Sequence, residues 1–223
     1  MSCVPAIPPE TFLQGKRWWT NEGWWALDSS NSNSWTSAKD KILSHTKADI
    51  VFTQETKIIG SERILDAKRH ARKLGWNSNF SEALTTVADR GSGGCAVEAR
   101  KGIGLSSTTN CAERNKLTHR FCHTWVNGVV KGGLQCISVY AKNKIGPTGG
   151  NLELLEELTA LVRSIDGPWV IAGDWNMTPE ALTAAGWPRI VNGTVVATLL
   201  PTCNGSSYDF FVVSQNLKHS VGR

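Results

Sequence analysis

Apolar segments with strand-like and helix-like patterns follow one another along the chain, and their order limits the folds that it can adopt. Short apolar or β-branched runs bounded by polar residues predict strands at Trp24–Ser30, Asp49–Thr53, Cys95–Ala99, Arg120–Val126, Leu134–Tyr140, Pro168–Ala172 and Tyr208–Ser214. Apolar residues at helical spacing predict helices at Thr36–His45, Glu62–Leu74, Asn151–Ile165 and Pro179–Ala185. Strands and helices alternate at both ends, and successive strands lie between them. This order predicts an α/β domain in which two layers of sheet are flanked by helices.

Local signals refine two of these predictions. Ser61 is the predicted cap of the helix Glu62–Leu74, which carries several basic residues and ends at Gly75. The dipeptide Asn127-Gly128 separates two predicted strands, and this pair of residues is typical of a hairpin turn.

The chain has 223 residues and a formal net charge of +5, which suits one sizeable domain and favours phosphate-rich partners. We divide it into an N-terminal arm, residues 1–23, and one domain, residues 24–223. No uncharged apolar stretch approaches the ~18 residues of a membrane-spanning helix, and the N-terminus lacks the apolar segment of a secretory signal. We therefore expect an intracellular protein that works away from membranes, with the nucleus as one compatible compartment. The six cysteines form no CxxC pair and are expected to be free thiols.

Acidic and amide side chains directly follow several of the predicted strands. If those strands lie side by side, the side chains meet at one edge of the fold. Carboxylate and amide oxygens are ligands that Mg²⁺ and Mn²⁺ prefer in proteins. A single strand-end Asp or Asn is more often a turn or cap residue, so the prediction depends on the repetition of the pattern. The residues that follow strands are Asn31, Asn33, Glu55, Asp174 and Asn176, and Asp209 stands at the beginning of the strand DFFVVS.

Three motifs occur in a fixed order along the chain: ADIVFTQETK (Ala48–Lys57), VIAGDWNMTP (Val170–Pro179) and YDFFVVS (Tyr208–Ser214). Together they resemble the endonuclease/exonuclease/phosphatase superfamily, and the resemblance runs over residues 26–214. It implies a four-layered α/β sandwich, in which two mixed β-sheets pack face to face with helices on the outside. It also implies divalent-metal-dependent hydrolysis of a phosphodiester, with water as the nucleophile.

The resemblance assigns the metal side of the site to residues in the first half of the chain. Glu55 resembles the family's metal-binding glutamate, and Asn31 takes the place of an early asparagine beside the metal and the phosphate. Asn33 is the alternative if the register slips by two residues, and it joins Lys57 as a predicted substrate-binding residue. The implied cofactor is Mg²⁺, with Mn²⁺ as an alternative.

The remaining site residues belong to the second half of the chain. Tyr140 resembles the family's tyrosine that contacts the scissile phosphate. Asp174 resembles the aspartate that orients or deprotonates the attacking water, and Asn176 the neighbour that steadies the phosphoryl oxygens. Asp209 resembles an acidic residue that supports the site through hydrogen bonding. Trp175, inside the same motif, is predicted to pack rather than to react.

Residues in and around the motifs favour nucleic acid over inositol phosphates as the substrate. Inositol-phosphate phosphatases of this superfamily usually continue GDxN with Tyr-Arg, whereas Met177 and Thr178 follow here. QETK, which includes Lys57, resembles the apurinic/apyrimidinic endonuclease branch, and NSNSW and RGSGGCAV resemble the endonuclease domains of retroelements. Ser207 stands where DNA-repair members carry arginine, which favours a general DNA endonuclease over an abasic-site enzyme. The expected partner is DNA, and the expected state is a monomeric domain.

The superfamily's final Ser-Asp-His motif is not found. The tail contains His219, but Lys218 precedes it, and it follows Asp209 more closely than the family pattern requires. We therefore expect the domain to be incomplete at its C-terminus, without its last strand, and His219 to lie in a loop. Two other functions stay open: a catalytically inactive remnant or nucleic-acid-binding module, and a phosphatase or deadenylase of the same superfamily.

Overall fold

Two mixed β-sheets form the centre of the fold. The computed structural model describes residues 21–88, 90–107, 117–198, 202 and 205–222. The first sheet is built from β1 (Leu27–Asn31), β2 (Ile50–Gln54), β3 (Trp76–Phe80) and β6 (Cys95–Arg100). Its strand order is β1-β2-β6-β3, in which β1 is parallel to β2 and β6 is antiparallel to both of its neighbours. The short strands β4 (Leu84–Thr85) and β5 (Gly91–Ser92) pair with each other.

The second sheet has six strands in the part of the chain that the structure describes. They are β7 (Leu105–Ser107), β8 (Phe121–Val126), β9 (Leu134–Tyr140), β10 (Trp169–Asp174), β11 (Gly193–Val196) and β12 (Asp209–Ser214). The order is β11-β12-β10-β9-β8-β7. The central strands β9 and β10 are parallel, and the other pairs are antiparallel.

The two sheets pack face to face through their inner surfaces. Side chains alternate along a strand, so each sheet sends every second residue into this layer. Phe52 and Val97 of the first sheet lie here with Cys136, Val170 and Val213 of the second, and all of them are buried. This apolar layer holds the strand ends of both sheets in fixed positions.

Helices cover the outer surfaces of both sheets. They are α1 (Trp35–Ser37), which continues as a π-helix (Ala38–Leu43), α2 (Ser61–Lys73), α3 (Gly150–Arg163), α4 (Pro179–Ala184) and α5 (Trp187–Ile190). Leu154, Leu158 and Leu161 recur at helical spacing and place α3 on the second sheet. Ala67 and Ala71 place α2 on the first sheet. The helix–sheet–sheet–helix order confirms the predicted four-layered sandwich.

The start of α3 also fixes the loop that follows β9. Asn151 is fully buried; its Oδ1 accepts from the backbone N–H of Lys142 at 2.7 Å, and its Nδ2 donates to the Lys142 carbonyl at 2.9 Å. The same amide donates to the carbonyl of Gly146 at 2.8 Å. The buried amide therefore holds the backbone directly after β9, beside the edge where the candidate site lies.

Of three local predictions, two are wrong at single residues and one is confirmed. Ser61 is the first residue of α2 and not its cap: Gly60 occupies the cap position with a φ of 86°, and its N–H donates to Glu82 Oε1 at 2.6 Å. The hairpin predicted at Asn127-Gly128 is confirmed, because these two residues lie in the connection, 127–133, between the antiparallel strands β8 and β9. Arg120 ends a short 3₁₀ helix, Thr118–Arg120, rather than starting a strand.

Several short strands of the structure were not predicted, because their sequences carry little of the apolar pattern of a strand. The strand β3 reads WNSNF and the strand β11 reads GTVV; both are short, and neither was predicted. Residues 1–20 of the predicted arm, and Cys3, Cys111 and Cys203, lie outside the described residues.

The described cysteines Cys95, Cys122 and Cys136 are free and buried. Among the described residues, no helix has the length and apolar character needed to cross a membrane.

Candidate active site

The candidate site lies where strands of both sheets end on the same side of the sandwich. Asn31 ends β1, and Glu55 follows the parallel strand β2. In the second sheet, Asp174 ends β10 in register with Tyr140 of β9 and with Asp209 of β12. A cavity of about 370 Å³ opens between these ends and is lined in part by Asn31, Asp174 and Asp209. The packing of the two sheets therefore brings residues from distant parts of the chain to one place.

One amide group connects the two halves of the site. The Nδ2 atom of Asn31 donates to Glu55 Oε1 at 2.9 Å and to Asp174 Oδ2 at 2.8 Å. Its Oδ1 accepts from the backbone N–H of Asn33 at 3.1 Å, which fixes the orientation of the side chain. Asn31 thus holds two carboxylates of like charge close together and orients both of them. In this arrangement its nitrogen, and not its oxygen, faces Glu55, so a role as a direct metal ligand stays a prediction.

Glu55 is held in its charged form by its neighbours. Its Oε2 forms an ion pair with Lys57 Nζ at 3.1 Å, and the Tyr140 hydroxyl also forms a hydrogen bond with the carboxylate. Burial by itself would raise the pKa of Glu55. The hydrogen bonds from Asn31, Tyr140 and Lys57 outweigh burial and lower the pKa below its usual value.

Asp174 lies in the opposite electrostatic environment. Burial is the largest cause of a pKa raised to about 6, and the negative charges of Asp209 and Glu55 add to it. The Asn31 amide and the backbone N–H of Asn176, which donates to Asp174 Oδ1 at 3.0 Å, lower the pKa in part. Asp174 is therefore a stronger base than an exposed aspartate and is still mostly ionised at pH 7.

Asn176 and Asp209 line the same cavity as Asp174. Asn176 has a φ of 48°, and its Nδ2 donates to the carbonyl of Ala141 at 2.9 Å, so the amide is anchored to the loop after β9. Burial raises the pKa of Asp209, and its Oδ1 is buried without a hydrogen-bond partner among the described atoms. Thr202, which the sequence did not single out, accepts the backbone N–H of Asp209 at 3.2 Å.

A glycine segment fixes the backbone turn that presents Glu55. Glu55 and Lys57 have positive φ values of 54° and 56°, which residues other than glycine rarely adopt. The backbone N–H groups of Thr56 and Lys57 donate to the carbonyls of Gly94 and Gly93, both at 3.0 Å. A Cβ atom on Gly94 would lie 2.7 Å from the Thr56 hydroxyl. Steric crowding therefore explains why the RGSGG segment has glycine at position 94, because a side chain there would push against the Glu55 turn.

Arg120 is a second residue at the site that the sequence did not single out. Its guanidinium carbon lies 5.1 Å from the centroid of the Tyr140 ring, within the range of a cation–π contact. No signal in the sequence could have found it, because its place beside Tyr140 depends on the pairing of β8 with β9.

His219 does not lie at the site. It is exposed in a 3₁₀ helix (Gln215–Ser220), which follows the end of β12 that is opposite to Asp209.

The residues on the Glu55 side have the chemistry of a divalent-cation site. The Lys57 ammonium contacts both Glu55 Oε2 and Asn33 Oδ1, so these two oxygens already bind a positive charge. Among the described residues, no group of three or more His, Cys, Asp and Glu side chains is placed to hold a metal ion. Mg²⁺ commonly binds proteins through one or two carboxylates and keeps several waters. Glu55 and Asn33 fit that pattern.

The buried position of Trp175 confirms the prediction that this side chain packs in the core rather than takes part in the chemistry. The side chain is fully buried and stacks on Phe210, with the ring centroids 5.3 Å apart. Its Nε1 donates to the Phe210 carbonyl at 3.0 Å. Trp175 therefore supports the backbone between Asp174 and Asn176 from inside the fold.

Comparisons with solved structures show the same fold at low sequence identity. The AP endonuclease LMAP from Leishmania major has a TM-score of 0.56 and 15% identity, over 86% of this chain and 78% of that one. A humanized D. rerio TDP2 has a TM-score of 0.54 and 14% identity, over 85% and 82%. A β-hairpin deletion mutant of beta toxin from Staphylococcus aureus has a TM-score of 0.56 and 13% identity, over 86% and 87%. None of the curated proteins searched matches the chain.

The sequence also matches a family model that extends over nearly the whole chain. The matched residues are 13–221, and the model describes the Endonuclease/Exonuclease/phosphatase family. The match includes every predicted site residue and both sheets. The chain therefore belongs to the Endonuclease/Exonuclease/phosphatase family.

Proposed function

We propose that the protein hydrolyses phosphodiester bonds in DNA as a divalent-metal-dependent endonuclease. One observation carries the proposal. The Asn31 amide donates to both Glu55 and Asp174, although the pKa of Glu55 is lowered and that of Asp174 is raised. One carboxylate is kept charged and suits a cation, and the other is a stronger base and suits a water molecule. Phosphodiester hydrolysis needs both functions close together.

On the Glu55 side, Glu55 and Asn33 would hold the cation. A divalent cation, when bound, supplies positive charge to the non-bridging oxygens of the phosphate. Lys57, which pairs with Glu55 in this structure, remains available as a second positive group beside the substrate. The predicted substrate-binding role of Lys57 therefore stays compatible with its position.

On the Asp174 side, the carboxylate accepts the proton of the attacking water. The water oxygen bonds to phosphorus, its proton passes to Asp174, and the bond from phosphorus to the leaving oxygen breaks. The leaving oxygen takes a proton from solvent. Asn176 fixes Asp174 through its backbone N–H. The Tyr140 hydroxyl donates its one proton to Glu55 in this structure, and it would turn to donate to a phosphate oxygen when substrate is bound. Preorganised donors of this kind contribute about 3–4 kcal/mol each to transition-state stabilisation.

The choice of DNA rests on charge and on family. The chain carries a net charge of +5, and Lys57 and Arg120 lie beside the site. A polyanion is the substrate class that this charge favours. One structural neighbour is an AP endonuclease, which agrees with a nuclease. Ser207, where repair members carry arginine, favours cleavage without a requirement for an abasic site.

A plasmid-nicking assay tests this function. We expect the wild type to convert supercoiled plasmid to the open-circular form with Mg²⁺ or Mn²⁺ and not with EDTA. Glu55→Gln and Asp174→Asn should each lose this activity, whereas Glu153→Gln, an exposed acid on α3, should keep it. Release of inorganic phosphate from soluble monoesters without nicking would contradict the proposal and favour a phosphatase. Binding of DNA without turnover under all conditions would favour an inactive nucleic-acid-binding module.

A further inference from the structure

Arg120 is an arginine whose hydrogen-bonding capacity is not used within the described protein. Its Nε is buried and has no hydrogen-bond partner among the described atoms. Within the same residues, no carboxylate forms an ion pair with it, and its guanidinium lies over the Tyr140 ring. A buried donor without a partner is costly, and a charged one more so. A group in this state at the edge of a site indicates that a ligand supplies the partner.

Arg100 shows what a structural arginine in this protein looks like. It also lies over an aromatic ring, with its guanidinium carbon 4.1 Å from the centroid of Trp76. Its donors, however, are used by the protein: Nε donates to the Ala48 carbonyl at 3.0 Å, and a terminal nitrogen donates to the Thr46 carbonyl. The two arginines share the cation–π contact and differ in their hydrogen bonds. The difference sets Arg120 apart from a residue that only packs.

The backbone of Arg120 is held firmly beside the Glu55 turn. Its N–H donates to the Leu117 carbonyl at 2.8 Å, and its carbonyl accepts from Cys95 Sγ at 3.4 Å. The preceding residue, His119, accepts the N–H of Gly94 at 2.8 Å through its carbonyl. Gly94 is part of the segment that fixes the Glu55 turn. The guanidinium is therefore placed by the same scaffold as the candidate active site.

A second cation acts on His119, the residue before Arg120. Lys142 follows Tyr140 by two residues, and its exposed side chain crosses Gly150 at the start of α3. Burial lowers the pKa of His119, and the positive charges of Arg120 and Lys142 lower it further. The imidazole is therefore mostly neutral at pH 7, and the positive charge here comes from the arginine and the lysine.

The Glu55 carboxylate, which contacts the same tyrosine, is already used by other groups. Glu55 already accepts hydrogen bonds from Asn31 and Tyr140 and pairs with Lys57. Arg120 lies over the ring of Tyr140, whereas the hydroxyl end of that ring points to Glu55. The space at Arg120 is thus separated by the tyrosine ring from the space between Glu55 and Asp174, where the cleaved phosphate would lie.

We propose that Arg120, together with Lys142, forms a phosphate subsite beside Tyr140. The subsite binds a phosphate of the nucleic-acid strand next to the one that is cleaved, so this inference rests on the proposed function. A guanidinium suits this task because its planar donors match phosphate oxygens in pairs. The lysine adds charge without that geometry. The subsite sets the position of the strand in the site and does not take part in bond breaking.

The test measures binding separately from cleavage. A fluorescein-labelled single-stranded DNA oligonucleotide is titrated with protein in EDTA, and its anisotropy is followed at several salt concentrations. The proteins are the wild type, Arg120→Gln, Arg120→Lys and the control Arg163→Gln, an exposed arginine at the far end of α3. We expect Arg120→Gln to weaken binding about 10-fold and to reduce the salt slope by about 1. Arg120→Lys should recover the salt slope but only part of the affinity, and the control should match the wild type.

A set of oligonucleotides, each with one neutral methylphosphonate, then identifies the contact. We expect one position to weaken wild-type binding about 10-fold and to have no further effect on Arg120→Gln. If every position weakens both proteins equally, or if the wild type does not bind the oligonucleotide, the subsite is wrong. A lower kcat in Arg120→Gln with unchanged affinity and salt slope would also overturn it, because Arg120 would then act only through Tyr140. If Arg120→Gln and one methylphosphonate position are coupled in binding but the protein cleaves no DNA, the phosphate subsite is supported and the proposed endonuclease activity is rejected.

Discussion

Glu55 and Asp174 share one hydrogen-bond donor and yet differ in their affinity for a proton. Both accept from the Asn31 amide, at 2.9 Å and 2.8 Å. The pKa of Glu55 lies below its usual value, whereas that of Asp174 is raised to about 6. Burial raises the pKa in both cases, so burial does not explain the difference.

The difference comes from the other neighbours of each carboxylate. Glu55 has the Tyr140 hydroxyl and the Lys57 ammonium beside it. Asp174 has the negative charges of Asp209 and Glu55 beside it. Because a positive neighbour stabilises a carboxylate and a negative one destabilises it, the two residues suit different tasks. These differences support the proposed division of the site into a cation side at Glu55 and a proton side at Asp174.

The two sides also come from different sheets. Glu55 and Asn31 belong to the first sheet, whereas Asp174, Asp209 and Tyr140 belong to the second. The Asn31–Asp174 hydrogen bond joins residues that are 143 positions apart in the chain. The candidate active site therefore depends on the packing of one sheet on the other, and Tyr140 of the second sheet also contacts Glu55 of the first.

The largest effect is expected on the Asp174 side. Asp174→Asn keeps the size of the side chain and its hydrogen bond to the Asn176 N–H but removes the base. We expect turnover in a DNA-cleavage assay to fall about 10²–10⁴-fold. The matched variant Asp166→Asn changes an exposed aspartate before β10 and should cleave like the wild type. Equal turnover in the two variants would show that Asp174 is not the base.

A smaller effect is expected when the link between the two sides is removed. Asn31→Ala deletes the donor that both carboxylates share, so cation binding should weaken and turnover should fall about 10²–10³-fold. Asn31→Asp should be more harmful still, because it places a third negative charge between two others. The control Asn216→Ala removes an exposed amide far from the site. Loss of turnover in Asn31→Ala with unchanged cation binding would show that Asn31 serves the Asp174 side alone.

The smallest effect concerns Glu98. Burial acts on this carboxyl as it does on Glu55, but Glu98 lacks the several side-chain donors and the lysine that lower the pKa of Glu55. Glu98 is fully buried on β6, and burial raises its pKa to about 8, although Thr53 donates to it at 3.0 Å. The folded state therefore holds a proton that the unfolded state releases near the usual value of 4.5. Stability should fall as the pH rises between these two values.

Glu98→Gln should remove this pH dependence. At pH 8 we expect the variant to be more stable than the wild type by at least about 1 kcal/mol, measured by urea unfolding at pH 5 and pH 8. Glu156→Gln, an exposed glutamate on α3, should unfold like the wild type at both values. An unchanged pH dependence in Glu98→Gln would show that burial alone does not set the protonation of a carboxyl in this fold.

The sequence predicted the sandwich because its main strands and helices have strong local patterns. The runs around β2, β9, β10 and β12 were placed within about two residues, and the acids and amides that follow them meet as expected. The resemblance to the family supplied their roles. The strand β3, with the sequence WNSNF, has no such pattern, because its place is set by pairing with β6 and not by its own residues.

The parts of the site that the sequence missed all depend on contacts between distant segments. Arg120 reaches Tyr140 only through the pairing of β8 with β9, and Thr202 reaches Asp209 only through the loop before β12. The shared donation by Asn31 needs both sheets to be packed. A pattern in one segment cannot show which of its side chains will meet another segment. The predicted absence of a last strand stays a prediction.

Metal binding by the two carboxylate variants tests the division between the two sides most directly. Mn²⁺ is titrated by calorimetry into the wild type, Glu55→Gln and Asp174→Asn, and DNA cleavage is measured on the same samples. We expect Glu55→Gln to weaken Mn²⁺ binding at least about 10-fold, and we expect higher Mn²⁺ to restore part of its activity. Asp174→Asn should bind Mn²⁺ within about twofold of the wild type and still not cleave. If both variants lose Mn²⁺ binding equally, or if Asp174→Asn alone loses it, the assignment of cation to Glu55 and proton to Asp174 is wrong.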